Sequence, residues 1–272
     1  MLKVLGIFTC YNRKDKTIRC LESLMEGNPE IEFFFIAVDD NSQDGTRQVL
    51  KSYANIQIIL GNGRCYYSGG MRLGIESGKE CCNKYDWILF FNDDVVFFPH
   101  AIERLKAFAI GKNEIIVGAT CGENGELSYG GVLKTSSFKP AFRVGMSQES
   151  RLYCDTFNAN CVLLPKEVFK VLPNIDSQYT HSMGDFDYGL EARKSGIPIV
   201  VSDFFVGRCI NNKIEGTWRD IHLSRKERLK RKEEPKGLPR KEWFYFVKKH
   251  FGVISACFNT VIPYVKILIR KS

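Results

Sequence analysis

This chain lacks a long run of apolar residues free of charge. The longest such stretch in its C-terminal part, Phe251 to Val265, is 15 residues and contains Asn259 and Pro263, short of the roughly 20 needed to cross a bilayer. Also lacking at the start is a basic segment followed by an apolar core and a cleavage site, because Leu2 to Thr9 reads as a β-strand. Ten cysteines are present, but not in paired CxxC spacing. Zinc binding is therefore disfavoured, and Cys81-Cys82 and the isolated cysteines read as reduced, buried structural thiols of a cytoplasmic protein. Internal repeats and low-complexity linkers are missing before about Lys213. That absence favours one catalytic domain over residues 1–212 and a distinct extension over 213–272.

Negative charge is scarce in the extension. From His222 onward 14 Lys and Arg face four Asp and Glu, an excess of ten positive charges, while the rest of the chain is slightly acidic. The tail, rather than the body, is thus the part suited to an anionic surface. A body of that charge without interleaved aromatic and basic residues speaks against nucleic acid as a partner.

What the sequence does contain is alternation. Apolar, β-branched and aromatic runs at Lys3–Thr9, Glu32–Asp39, Ile56–Leu60, Trp87–Phe91 and Ile115–Ala119 are separated by stretches suited to helices, which predicts a mainly parallel, Rossmann-like sheet flanked by helices. In such sheets ligands bind beyond the carboxyl ends of the strands. Those ends are polar here: Thr9-Cys10-Tyr11-Asn12-Arg13, Asp39-Asp40-Asn41-Ser42, Gly61-Asn62-Gly63-Arg64 and Asn92-Asp93-Asp94. A Gly-rich hairpin excursion is expected over Glu123–Gly145, and a helix over Gly184–Ser195.

Adjacent carboxylates at Asp93 and Asp94 repel unless a cation lies among them, and Mg²⁺ or Mn²⁺, hard and oxygen-seeking, would serve with substrate phosphates completing the shell. A solvated turn is the plainer alternative. Asp39, at the last apolar position of its strand, is placed to accept from the N–H of a pyrimidine base. Asp44 or Ser42 is a candidate cap for the following helix. Gly63 belongs to a glycine-rich turn suited to phosphate. Arg72, in the helix beyond, reads either as a cation for a diphosphate or as an exposed helical arginine.

The four motifs Thr9-Cys10-Tyr11-Asn12-Arg13, Val38-Asp39-Asp40-Asn41-Ser42, Asn92-Asp93-Asp94 and Gly184-Asp185-Phe186-Asp187 occur in the order found in family-2 glycosyltransferases of the GT-A fold, which residues 2–210 resemble. Gly61–Arg72 and Asn158–Pro165 look like the rhamnosyltransferase-type branch that builds surface polysaccharide. The resemblance implies an inverting enzyme taking a UDP- or dTDP-sugar donor to a hydroxyl of a glycan or lipid-linked acceptor. Thr9, Tyr11, Arg13 and Asn41 would line the nucleotide pocket, Asp39 would contact the base, Asp93 would lie near the ribose or sugar, and Asp94 would hold the metal. Asp185 would be the general base, with Asp187 as the fallback.

One departure stands out. Many members carry a histidine that completes the metal site after the next strand, whereas this chain reads Phe205-Val206-Gly207-Arg208-Cys209. Water or Cys209 would take its place, or Arg208 would face the diphosphate. His181 reads as a surface or packing residue rather than a ligand. A nucleotidyltransferase is a weaker alternative, because its glycine-rich loop after strand one is missing. A non-catalytic membrane-binding protein is another. The tail predicts a basic amphipathic helix on an anionic membrane surface, with Trp243, Phe244 and Phe246 at headgroup level, or else a cap on the domain or on a second copy in a homodimer.

Overall fold

The computed structural model describes residues 1–269. The chain begins with β1 (Leu2–Cys10), α1 (Lys14–Glu26), β2 (Ile31–Asp39), α2 (Thr46–Leu50), β3 (Ile56–Leu60), α3 (Tyr66–Cys81) and β4 (Trp87–Phe91). Next come β5 (Val96–Phe97), α4 (Ala101–Phe108), β6 (Ile115–Cys121), β7 (Leu127–Tyr129), β8 (Gly131–Lys134), β9 (Phe142–Gly145), β10 (Leu152–Tyr153), β11 (Thr156–Phe157) and β12 (Cys161–Pro165). The remainder is α5 (Lys166–Val171), α6 (Gly184–Lys194), β13 (Ile199–Arg208), α7 (Arg225–Glu233), α8 (Arg240–Phe251) and α9 (Val253–Ile269).

The main sheet runs β10-β13-β6-β12-β4-β1-β2-β3, and β11, β8 and β9 form a second, antiparallel sheet that contains the expected hairpin. The mixed α/β architecture with a mostly parallel sheet matches expectation. One strand departs from the parallel pattern: β12 lies antiparallel between β4 and β6. Alternation along β1 divides its side chains between two cores. Val4 and Phe8 join the cluster under α1 and α4, while Leu5 and Ile7 join the one under α3 and α5. Each fully buried aliphatic or aromatic side chain of this kind contributes about 1.5–3 kcal/mol.

Close packing of α3 on β1 depends on Gly70, Gly74 and Gly78, spaced four apart on one helical face. A Cβ on Gly74 or Gly78 would meet Ile7, and one on Gly70 would meet Thr9. Register then sets the rim: Cys10 pairs with Asp39 and Asp39 with Leu60, so three strands end together. On the other side Cys161 pairs with Phe91, which brings Asn160 beside Asn92.

The extension is docked on the body. Phe246 and Val247 of α8 are fully buried with Tyr179, Leu190 and Ala256, and Trp243 and Phe244 pack around them. This corrects the expectation that Phe246 meets lipid, since it is buried against α6 and the loop before it, and it fits the alternative of a cap on the domain; Trp243 and Phe244 are partly buried in the same cluster. Among the described residues no helix is long and apolar enough to cross a membrane.

Candidate active site

The rim is built on tight backbone. Asn12, Asn41, Tyr66 and Met183 all have positive φ, between 49° and 68°, an uncommon state for residues other than glycine that concentrates at functional sites. They stand just after β1, just after β2, at the start of α3 and immediately before α6.

Arg13 occupies the centre. Its Nη1 donates to Asp93 Oδ1 at 3.2 Å and to Asp94 Oδ2 at 3.0 Å, so a positive charge already sits between the two carboxylates. Asp93 is 4% exposed and also accepts from Thr17 Oγ1 at 3.2 Å. Burial raises its carboxyl to about 6, with Arg13 opposing and Asp94 reinforcing the shift. Asp94 is nearer the mouth. Its second oxygen, Oδ1, receives the Cys209 thiol at 3.6 Å, and Asn160 Nδ2 donates to Cys209 Sγ at 3.2 Å. Burial, aided by the charge of Asp94, pushes that thiol up to about 12. Of the three options for the missing histidine, Cys209 is the residue brought to Asp94. Carboxylates already arranged around one cation, with a sulfur at their edge, suit a divalent ion.

The same loop reaches Asp185, in the first turn of α6. Ala159 N–H donates to Asp185 Oδ2 at 3.3 Å and Phe186 N–H to Oδ1 at 2.9 Å. Burial nevertheless raises the carboxyl to about 6 against these donors. Such a group is ionised at neutral pH yet basic enough to take a proton. Desolvation and, after it, the charge of Asp185 raise the pKa of the partly buried Tyr67 phenol.

Other expected residues are placed differently. Asp39 is at the end of β2 but 0% exposed, accepting from Ser42 N–H at 3.0 Å and from Arg47 Nε at 2.9 Å. Gly63 N–H is taken by Asp40 Oδ1 at 2.7 Å, so it does not point toward a phosphate. Thr9 donates to the Val38 carbonyl beneath α3, while Tyr11 and Asn41 are exposed on the rim. Arg72 lies in the second turn of α3, and its guanidinium donates to the carbonyls of Ile175, Asp176 and Tyr179 at 2.7–2.9 Å. It is neither a free cation for a diphosphate nor an exposed arginine, but a clamp on the loop that leads to Asp185.

Asp187 is equally committed, which removes it as a fallback base. It is 2% exposed and bonded to Tyr179 Oη, Lys249 Nζ and His250 Nε2 at 3.0, 2.9 and 2.7 Å. With Glu191 and His250 it forms a group of possible metal donors within 4.8 Å of one another. Lys249 Nζ lies 2.9 Å from Asp187 and 3.7 Å from Glu191, so the cation there is an ammonium that ties α8 to α6. His181 is a packing residue, as expected: Tyr67 N–H donates to its Nδ1 at 3.4 Å, and burial lowers its pKa to about 4. Asp44 caps α2 from one residue before the cap position, accepting from Thr46 N–H at 3.0 Å, while Ser42 Oγ accepts from Asn12 N–H. All ten cysteines are free thiols. Asn160, which holds Cys209, is a site residue that sequence reasoning misses; its signal is the polar Asn158-Ala159-Asn160 step just before an apolar strand.

Comparison with solved structures places S. aureus TarS residues 1–349 in complex with UDP-GlcNAc alongside this chain at 16% identity and a TM-score of 0.56, covering 97% of this chain and 82% of that one. A mannosyltransferase from Pyrobaculum calidifontis, in complex with GDP-Man and Mn²⁺, gives 9% identity and a TM-score of 0.57 over 97% and 72% of the two chains. GalNAc-T7 with UDP, GalNAc and Mn²⁺ gives 10% and 0.60 over 79% and 44%. Comparison with curated proteins returned no sequence match. The sequence model for glycosyl transferase family 2 matches residues 7–172, more than half of the chain, and the protein belongs to that family.

Proposed function

We propose that this transferase moves a hexosyl or deoxyhexosyl group from a UDP- or dTDP-linked donor to a hydroxyl of a glycan or lipid-linked acceptor, with inversion, in the assembly of cell-surface polysaccharide. The observation that carries the reading is the loop 158–160, which touches Asp185 through Ala159 and the Asp94–Cys209 pair through Asn160. One short segment thus joins a carboxylate able to act as base to a carboxylate site able to hold a cation.

In this reading Asp185 takes the proton from the attacking acceptor hydroxyl. Asp94 and Cys209 would hold Mg²⁺ or Mn²⁺, which supplies charge stabilisation for the departing diphosphate. Arg13, now between the carboxylates, is free to turn toward the diphosphate when they have another cation. Tyr11 and Asn41 line the nucleotide side, while Asp39, buried and bonded to Arg47 and Ser42, braces the rim beneath them. The cocrystallised nucleotides and Mn²⁺ of the similar structures support a donor and a cation of this kind. A rhamnosyl-type donor is the finer reading, resting on the Gly61–Arg72 and Asn158–Pro165 segments.

The place of action is the inner face of the cell membrane. Ile254, Phe258, Val261, Val265 and Ile269 are exposed along one side of α9, and α7 beside it carries exposed Arg225, Lys226, Lys230 and Arg231. An apolar stripe flanked by cations is the composition of a helix lying on anionic lipid.

Calorimetric titration of UDP and dTDP into the purified chain, with and without Mn²⁺, tests the donor site. Metal-dependent micromolar binding is expected, and the tighter nucleotide names the donor class. No binding under any metal condition would overturn the reading.

A further inference from the structure

We infer that Cys209 is a ligand of the cation site and sets its ion preference toward Mn²⁺, Co²⁺ or Cd²⁺ and away from Mg²⁺. The inference rests on the transferase reading above and adds a specificity-determining residue to it. Asp94 presents its two oxygens to two different neighbours: Oδ2 to Arg13 and Oδ1 to Cys209 Sγ, 3.6 Å away. Metal–sulfur bonds of about 2.3 Å and metal–oxygen bonds of about 2.1 Å put two ligands of one ion about 3.1 Å apart at a right angle and about 3.6 Å apart at the tetrahedral angle. The observed spacing, now that of an S–H···O hydrogen bond, lies at the upper end of that range, so the pair is within about 0.5 Å of sharing an ion.

The sulfur is also oriented from behind. Asn160 Nδ2 donates to Sγ at 3.2 Å, and Asn160 is itself fixed by the hydrogen bond from Asn92 N–H to its carbonyl. A donor on sulfur is the outer-shell support that steadies a metal-bound thiolate. Binding is a proton exchange: the metal–sulfur bond forms as the S–H bond breaks, the electron pair stays on sulfur, and the proton leaves to solvent. No oxidant is required. Sulfur is a soft donor, whereas Mg²⁺ favours oxygen alone, so the exchange selects the softer ions.

The test is a titration of the full chain with Co²⁺ in the presence of UDP, followed by near-ultraviolet absorption. A sulfur-to-cobalt charge-transfer band is expected in the wild type and should vanish in both Cys209→Ser and Asp94→Asn. The other nine cysteines are unchanged in those variants and serve as the internal control. In parallel, UDP affinity measured with Mn²⁺ should exceed that with Mg²⁺ by about 10-fold or more in the wild type, and the ratio should collapse in Cys209→Ser. Cys209→His should keep Mn²⁺-dependent binding without the band, which guards against a serine variant that fails to fold. A cobalt spectrum or Mn²⁺/Mg²⁺ ratio unchanged in Cys209→Ser would overturn the inference while leaving the transferase reading intact. Failure of UDP to bind with any ion would instead sink that reading.

Discussion

Ala159 holds Asp185 with a backbone N–H at 3.3 Å, a bond that positions the carboxylate without neutralising it. Two backbone donors on Asp185 are outweighed by burial, leaving its carboxyl at about 6. Asp185→Asn keeps the shape and removes the proton acceptor. Transfer should fall by about 10²–10⁴-fold, while nucleotide affinity by calorimetry stays within about twofold of wild type. Normal turnover in this variant would remove Asp185 as the base.

The same shift predicts a stability change of opposite sign. The folded carboxyl binds its proton more tightly than an unfolded aspartate near 3.9, so its contribution is fully present below that value and is lost as pH rises through about 6. At pH 7.5 the ionised form is a cost, partly offset by its place at a helix N-terminus. Asp185→Asn should therefore be more stable than wild type by about 1 kcal/mol in urea at pH 7.5, and the gain should disappear by pH 4. In the wild type kcat/KM should drop about tenfold per pH unit below about 6 and level off above it.

Asp93 and Asp94 are adjacent but should behave differently. Asp93 is buried, pairs with Arg13 and accepts from Thr17, so Asp93→Ala takes from Arg13 one of its two carboxylates and from Thr17 one of its two acceptors inside the core and should cost about 1–3 kcal/mol by urea unfolding. Asp94 is 22% exposed at the mouth. Asp94→Ala should change stability by less than about 1 kcal/mol, yet abolish the metal-dependent part of nucleotide affinity. Equal stability losses would show that the two carboxylates share one structural role.

Lys249 joins α8 to α6 through Asp187 and Glu191, and to the loop before α6 through Asp176. Asp187→Ala leaves the Lys249 ammonium and the buried His250 ring without their main acceptor, and should cost about 3 kcal/mol. Trp243, whose indole N–H donates to the Asn259 carbonyl in the same cluster, should show red-shifted fluorescence if α8 loosens first. An unchanged urea midpoint would mean that α8 docks on apolar contacts alone.

The strand ends were legible because hydrophobic runs stop at polar residues, and register alone then brings Asp39, Asp93 and Arg13 to one rim. Arg72 was not, because the carbonyls that satisfy it come from Ile175, Asp176 and Tyr179, more than a hundred residues away. Gly63 has the local composition of a phosphate turn, and only the fold reveals that Asp40 already uses its N–H. Periodicity could not distinguish the aromatic residues of α8 from membrane anchors, because an amphipathic face reads alike whether protein or lipid covers it. For the same reason the apolar stripe that does stay exposed, on α9, was not separated from the one that does not.

The exposed face of α9 and the buried face of α8 should respond differently to charge. Phe258 is 70% exposed and Ile254 73%, whereas Phe246 is fully buried, so charge introduced at the first two should not disturb the fold. The pair Ile254→Asp and Phe258→Asp should abolish cosedimentation with vesicles containing anionic phospholipid while leaving the melting temperature within about 2 °C, since surface changes away from packed features cost about 0.5 kcal/mol or less. Wild-type binding should weaken with salt, as cations on α7 supply part of the attraction, and vesicles of neutral lipid should bind less. Should the wild type ignore both vesicle types and the Ile254→Asp/Phe258→Asp variant convert a dimer to a monomer on sizing, the exposed face of α9 would be a subunit contact and not a membrane one.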